Sequence, residues 1–293
     1  MLATDKNPIL SLKSTVRRTS AQTHPCGLAS MFEGLWTHRQ LLWQLTRRDV
    51  EGRYRGSFVG LLWSFFNPLI MLTVYTLVFG VIANGGKGDL SAAGVTKFAI
   101  ELFAGLIVFN FFSECVNRAP SLVLSNVNYV KKVIFPLETL TWTAVAAALF
   151  HACISLSALS ILYAFVHAQL HWTLVFFPAI LIPVALFAAG FTFFLSGLGV
   201  YLRDVSQAVP IFNMLVMFLS PIFYPITGAP RPLRPFFYLN PISFPIEQLR
   251  AVALRGEFPN WTSLSAYAAV SVAAAWAGYW WFQKRRRGFA DVI

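Results

Sequence analysis

Charged side chains are scarce in this chain. Asp, Glu, Lys and Arg together account for 12% of its 293 residues, whereas soluble domains carry about 25%. This scarcity excludes an ordinary soluble domain. The remaining charges are mostly positive and give a net charge of +11. Because the cations are grouped beside long apolar segments, they indicate contact with a membrane, and we expect no nucleic-acid partner.

Cysteine is nearly absent as well. The three cysteines are Cys26, Cys115 and Cys153. An odd number at irregular spacing gives neither a disulfide framework nor a metal-binding pattern. We expect these thiols to act as small apolar fillers, and we predict no metal site in the chain.

Groups that could carry catalysis are missing too. None of the five histidines lies in a sequence pattern with carboxylates that would hold a metal or activate a nucleophile. Gly85–Gly88 resembles a phosphate-binding loop only superficially, since Gly88 stands where a Ser or Thr would hold magnesium. The sequence therefore predicts a non-catalytic chain that hydrolyses no ATP. We expect His151 to be satisfied between helices. For Glu114 two interpretations stay open: pairing with Arg118 four residues later, or a functional role as a charge within the membrane.

Long apolar runs fill most of the chain instead. Six stretches with few or no charges lie at 61–83, 98–117, 139–166, 173–200, 209–226 and 264–282. A helix needs about 20 residues to cross a hydrocarbon core about 30 Å thick. The stretches do not alternate between apolar and polar residues, as the strands of a membrane barrel do. They predict an all-α membrane protein with six transmembrane helices, of which the short fifth could cross only in part.

The cations are distributed unequally between the segments that join these stretches. If both termini lie in the cytoplasm, 17 of the 23 Lys and Arg fall on the cytoplasmic side, as the positive-inside rule requires. The densest groups are Arg47, Arg48, Arg53 and Arg55 before the first stretch and the run Lys284–Arg287 after the last. Two interpretations stay open: orientation with attraction to anionic membrane lipids, or a specific contact with a phosphate.

The segment before the first stretch has two parts. Residues 1–30 are polar and lack the apolar core of a signal peptide, so we expect a disordered cytoplasmic tail. Residues 28–50 are typical of an amphipathic helix. We expect 31–56 to form this helix and the approach to the first span, lying flat in the headgroup region. The alternative is packing against the spans themselves. Residues 57–293 then form one six-span domain.

Two connecting segments are unusual. In segment 119–137, Pro120 is expected to open a short helix and Pro136 to end the segment. Its apolar residues need a partner below the membrane, or burial against the ends of the spans. Segment 227–261 contains six prolines and is too apolar for a solvated loop. We predict short re-entrant helices there, in the outer leaflet, at the mouth of a pore.

Aromatic residues make up 16% of the chain. Seven of them lie in or beside the first and fifth stretches: Phe65, Phe66, Tyr75, Phe212, Phe218, Phe223 and Tyr224. Aromatic rings present flat apolar faces, on which the C–H faces of sugars can pack, so this set could line a path for a glycan. Ordinary core packing is the alternative for each residue.

Several short segments, taken in order, resemble the type-2 ATP-binding-cassette permeases that export polysaccharides. They are Arg48–Ser57, Gly60–Trp63 with Asn67–Leu69, Phe103–Leu106 with Asn110–Phe112, Asn128–Pro136, Tyr201–Val205 with Pro210, Ser220–Tyr224, Leu239–Ile242 with Arg250, and Phe289–Val292. The resemblance covers about residues 45–293 and draws its specificity from the order and spacing of the segments. Residues 1–30 have no counterpart, and the run Lys284–Arg287 is more basic than the pattern.

The resemblance implies a permease subunit of the bacterial inner membrane. Such a subunit forms a homodimer and binds two copies of a separate ATPase, which holds the ATP and the magnesium; the permease itself carries no cofactor. Its cargo would be a lipid-linked polysaccharide, either O-antigen or capsular polysaccharide. Teichoic acid, another glycolipid or a small molecule are the alternatives, and the resemblance leaves room for a periplasmic export partner.

The resemblance also gives roles to residues. Segment 119–137 would couple to the ATPase through Asn128, Tyr129, Lys131, Lys132 and Phe135. The resemblance does not assign the four arginines before the first span; we propose from the chemistry of arginine that they contact the phosphate of the lipid carrier, with a role in topology alone as the alternative. Two rival classes are a membrane-embedded transferase, which needs paired carboxylates or a His-centred site, and an ion-coupled transporter, which usually carries mid-span ionisable residues and often inverted repeats. Neither pattern is visible in the sequence.

Overall fold

The computed structural model of the protein describes residues 27–56, 60–78, 92–131, 135–224 and 231–292. Within these ranges the chain is helical and has no strand, which confirms the all-α prediction. The helices are α1 (Leu28–Thr37), α2 (Arg39–Tyr54), α3 (Trp63–Tyr75), α4 (Ala92–Leu122), α5 (Val127–Lys131), α6 (Glu138–His167), α7 (Phe177–Tyr201), α8 (Val205–Phe218), α9 (Arg234–Leu239), α10 (Ser243–Arg250), α11 (Trp261–Arg285) and α12 (Phe289–Val292).

Three described helical stretches are long and apolar enough to cross a membrane. They are Gly94–Leu122, Glu138–His167 and Trp172–Tyr201, and they contain the second, third and fourth predicted spans. The fifth is the shorter Val205–Phe218, whose 14 residues reach only about 21 Å. The sixth predicted span is contained in α11, which is 25 residues long but less apolar than the three long stretches named above. The protein is a multi-pass membrane protein.

The amphipathic segment forms two helices and not the single one expected over 28–50. The chain turns at His38, which ends α1 with its N–H directed to the carbonyls of Gly34 and Trp36. Arg39 then begins α2. Its guanidinium donates to the Trp36 carbonyl at 3.1 Å and lies over the Trp36 ring. Arg39 is thereby held at the turn between α1 and α2.

The core forms around α7, which packs against both α4 and α11. Small residues permit this approach. A Cβ on Gly190 would collide with the main chain of α11 at Ala274, and one on Gly278 would collide with Gly190. Close backbone contact of this kind is typical of helix association in membranes. The α7–α11 pair therefore forms a rigid centre for the other helices.

Pro120 does not open a helix, contrary to the expectation from the sequence. It lies inside the last turn of α4, which continues to Leu122. Its backbone is packed so closely on α7 that a Cβ on Gly199 would collide with the Pro120 carbonyl. Tertiary packing therefore overrides the helix-starting preference of proline. The short helix predicted in this segment is α5, at Val127–Lys131.

The described part of the proline-rich segment is mostly helical, apart from residues 240–242 and 256–260. It contains a 3₁₀ turn at Arg231–Leu233, then α9 and α10, and a π-helical turn at Ala251–Arg255. Residues 225–230 lie outside the described part of the chain. The prediction of short helices between the fifth and sixth spans is thus confirmed for the described residues, and their depth in the membrane stays a prediction.

Candidate functional site

The first feature of interest is a group of ion pairs that join α2 to α4. Arg53 of α2 donates to Glu114 of α4 at 2.6 Å, and Arg118 of α4 donates to Asp49 of α2 at 2.7 Å. Glu114 and Arg118, which the sequence pairs with each other, approach only to 3.9 Å. Their shorter ion pairs therefore cross between two helices and do not follow one helix face.

His151 of α6 closes this network as an interhelical residue, as expected. Its Nδ1 lies 3.0 Å from Oε2 of Glu114 and 3.3 Å from Arg53, and its Nε2 lies 3.2 Å from the Tyr54 hydroxyl. The network thus connects α2, α4 and α6. The sequence contained a signal for this network, because ionisable residues inside or beside apolar spans need partners. Spacing along the chain could not show which residues those partners are.

A groove with a volume of about 1110 Å³ lies beside this network, between α2 and α6. Four arginines line it: Arg39, Arg47, Arg48 and Arg55. Its apolar wall comes from Leu42 and Trp43 of α2 and from Ala146, Leu149, Phe150 and Cys153 of α6. Three of the four arginines predicted to contact a lipid phosphate therefore lie together. Arg53 does not line the groove, because it is paired with Glu114.

Three of the four groove arginines have partners on the protein, and for Arg39 the partner is Trp36. Arg47 forms an exposed pair with Glu51 at 2.6 Å, and the hydrogen bond that Arg47 donates to Glu51 raises the pKa of Arg47. Arg48 donates to the Tyr129 hydroxyl at 3.2 Å. Guanidinium groups are charged at any physiological pH and bind phosphate oxygens in pairs. The groove can therefore receive an anion.

An apolar trench of about 440 Å³ adjoins the groove. Both share Leu42, Ala146, Leu149 and Cys153 as lining residues. Beyond these shared residues, the trench is lined by Trp142 and Val145 of α6 and by residues from Phe177 to Leu186 of α7. A cationic groove that opens on an apolar trench is complementary to an anionic headgroup joined to an apolar chain.

The predicted coupling residues lie at the same end of the bundle. Asn128 and Lys131 are exposed on α5. Tyr129 stacks on Phe135, with 4.4 Å between the ring centroids and 17° between the planes. Lys132 lies outside the described residues. The segment therefore exposes the polar side chains of Asn128 and Lys131, while the stack of Tyr129 on Phe135 holds its aromatic residues together.

The predicted path residues have different surroundings. Phe66, Phe212, Phe218 and Tyr224 are about two-fifths exposed in the single chain. Phe223 is buried and packs against Phe218 at 6.0 Å between ring centroids. The side chains of Phe65 and Tyr75 lie outside the described part of the structure.

The opposite end of the bundle is held by bonds from side chains to the main chain. Buried Arg250 donates to the carbonyls of Glu101 and Ile222, both at 3.0 Å, and pairs with Glu247 at 2.9 Å. Desolvation lowers the pKa of Arg250, and Glu247 acts against this. Asn240 donates to the carbonyls of Leu219 and Val216 at the end of α8. The sequence singled out both residues as parts of a motif without giving either a role.

Among the described residues, no three His, Cys, Asp or Glu side chains are grouped as a metal site would require.

The matches to known proteins agree on one family. The model of the ABC-2 type transporter family matches residues 40–254. An O-antigen export system permease protein, RfbA, from Myxococcus xanthus is 30% identical over 263 residues, which are 88% of this chain and 97% of that protein. A protein of the same name from Klebsiella pneumoniae is 23% identical over 256 residues, or 86% of this chain and 95% of that protein. The chain belongs to the ABC-2 type transporter family.

Proposed function

We propose that the chain is the permease subunit of an ATP-driven exporter that moves a lipid-linked polysaccharide of the O-antigen or capsular class across the bacterial inner membrane. The observation that carries this is the 30% identity to the Myxococcus xanthus O-antigen export permease over nearly its whole length. The groove and trench support it, because they suit an anionic lipid. Teichoic acid or another glycolipid is the alternative cargo with the same chemistry. A small molecule is the less favoured alternative.

The membrane arrangement in this proposal has six spans, with both termini and the α2 end in the cytoplasm. The positive-inside rule supports it, since Arg39 to Arg55 and Lys284 to Arg287 lie at that end. Segment 227–261 then lies at the outer face as re-entrant helices. Residues 1–27 precede α1 and form a cytoplasmic tail in this arrangement, which is three residues shorter than the tail expected from the sequence because α1 begins at Leu28.

ATP is bound and split by two copies of a separate ATPase, which docks on segment 119–137. The exposed Asn128 and Lys131 on α5 support this role. The test is a cysteine at Asn128 that is cross-linked to the ATPase co-purifying with the chain. We expect a cross-link with N128C and none with Ser265→Cys, an exposed control on α11. A cross-link from both positions, or from neither, would contradict docking on this segment.

Two copies of the chain form the transport path between them. The apolar faces of α3 and α8 are exposed in the single chain, with Ile70, Met71 and Val74 on α3 and Ile211, Met214 and Leu215 on α8. In this arrangement the aromatic side chains of α8 and its continuation face the path. We expect Phe212→Ala, Phe218→Ala and Tyr224→Ala to lower export while dimers still form. Phe165→Ala, on the exposed face of α6, is the control and should export normally. If the three variants lose export only together with folding, the residues are core.

Arg47, Arg48 and Arg55 receive the phosphate of the lipid carrier in the groove, and the trench takes its hydrocarbon chain. Arg53, held by Glu114, positions α2 and reaches the phosphate only if that pair opens. Lys replacements keep the charge that sets topology but lose two-pronged binding. We therefore expect Arg47→Lys with Arg48→Lys and Arg55→Lys to reduce export, and Arg287→Lys to leave it unchanged. If the triple variant exports normally, these arginines act in membrane topology alone.

The whole proposal is tested in proteoliposomes that contain the chain, its co-purified ATPase and a lipid-linked glycan. The glycan should cross only with ATP and with both proteins present. Transfer by the chain alone would overturn the proposal, and transfer of a free small molecule without the glycan would favour the alternative cargo.

A further inference from the structure

One of the four consecutive basic residues after the last span is not a surface charge. Arg286 donates to the Phe135 carbonyl at 2.6 Å and to Glu138 at 2.8 Å, and the side chains of Arg286 and Glu138 are each only 14% exposed. Its neighbours differ from it. Lys284 and Arg285 lie over the rings of Trp280 and Trp281, and Arg287 is exposed.

The chain turns back after α11 so that Arg286 can reach these partners. Phe289 of α12 is fully buried between the Phe282 ring, at 5.4 Å between centroids, and the Tyr201 ring, at 6.0 Å. The Tyr201 hydroxyl, at the end of α7, donates to the Arg285 carbonyl at 3.0 Å. The segment 286–292, which we name the C-terminal foot, is therefore anchored on the rigid α7–α11 pair.

From this anchor Arg286 holds the point where the coupling segment returns to the membrane. Phe135 stacks on Tyr129, and Glu138 is the first residue of α6. A carboxylate in the first turn of a helix is favoured by the helix dipole, and Arg286 adds a charged hydrogen bond to it. The Tyr129 hydroxyl in turn accepts from Arg48 of α2. One series of contacts thus joins the C-terminal foot, the coupling segment and the groove helix.

We propose that Arg286 is a positioning residue for coupling: it fixes the exit of segment 119–137, so that movement of a docked ATPase is passed to α2 and α6. This inference rests on the proposed function, because it requires the ATPase to dock on that segment. It gives the basic run a purpose besides orientation. The other three basic residues have no such contact with the coupling segment among the described residues.

The test compares Arg286→Gln with Arg287→Gln in the complete reconstituted exporter, with export per ATP hydrolysed as the readout. Residues that touch neither ligand change coupling by about 2- to 30-fold when replaced. We expect a loss of that size for R286Q, with ATP hydrolysis retained, and no loss for R287Q. Arg286→Lys can keep one of the two contacts, so its export per ATP should lie between the values for R286Q and R287Q. If R286Q does not assemble, R286K is measured in its place.

The outcomes separate the two proposals. If N128C cross-links to the ATPase while R286Q and R286K export as efficiently as R287Q, the role of Arg286 is overturned and the docking proposal stands. If N128C does not cross-link, the docking proposal fails first. A fall in assembly that parallels the fall in export for R286Q and R286K alike would make Arg286 a stability residue only, and would also overturn the inference.

Discussion

The two ends of the bundle are held together by different kinds of bond. At the α2 end, charged side chains from three helices bond to one another, and Glu114 lies within 4 Å of Arg53, Arg118 and His151. At the α10 end, Arg250 and Asn240 bond mainly to main-chain carbonyls. A carboxylate that has several partners can exchange them when helices shift, whereas a carbonyl at a helix end is fixed by its own backbone. The α2 end is therefore suited to movement and the α10 end to staying rigid.

The largest effect is expected from removing the bond that fixes the α10 end. Arg250→Gln leaves the carbonyls of Glu101 and Ile222 and the partly exposed Glu247 without their cation, and at about 1–3 kcal/mol for each unpaired carbonyl this should cost about 2–5 kcal/mol of folding free energy. The measurement is the thermal unfolding of the purified protein. Arg255→Gln is the control, since its pairs are about half exposed and are worth about 0–1 kcal/mol. Equal losses from the two variants would contradict the rigidity of this end.

A smaller loss is expected from Asn240→Ala. It removes the side-chain donor that satisfies the carbonyls at the end of α8 and leaves buried acceptors unpaired, at a cost of about 1–3 kcal/mol. Export should fall only as far as the amount of folded protein falls. A variant that folds normally but does not export would instead make Asn240 part of a moving element.

At the α2 end, Glu114→Gln should change export and stability in the opposite proportion to Asn240→Ala. The amide keeps the shape of the carboxylate but cannot neutralise Arg53 and Arg118, so we expect export to fall more than stability does. Stability should drop by about 1–3 kcal/mol. Glu33→Gln, which changes an exposed residue of α1 away from the groove, is the matched control and should export normally. The measurements are the unfolding temperature of the purified protein and its ATP-driven export. A variant that unfolds at a lower temperature but exports normally would contradict movement at this end.

The smallest effect on stability is expected from Tyr129→Phe. It removes a single hydrogen bond of 3.2 Å with exposed Arg48, which contributes at most about 1 kcal/mol, and it keeps the stack on Phe135. Export per ATP should nevertheless decline, because this bond joins the coupling segment to α2. Unchanged coupling together with unchanged stability would show that the contact carries no movement.

The sequence predicted the helical class because long apolar runs without alternation permit little else in a membrane. It also predicted short helices in the segments that contain α5, α9 and α10, although it expected the first of them to begin at Pro120. It could not predict that Pro120 remains inside α4, since that depends on the close contact with Gly199. The partners of Glu114, His151 and Arg286 were hidden for the same reason: they lie 37 to 151 residues away along the chain.

The difference between the two ends is tested most directly by amide hydrogen exchange of the complete exporter, compared with and without a non-hydrolysable ATP analogue. The account predicts that nucleotide changes exchange in residues 39–55 and 119–137, which contain α2 and the coupling segment, and leaves residues 240–255 as protected as before. A change confined to residues 240–255, with α2 and the coupling segment unaffected, would contradict it.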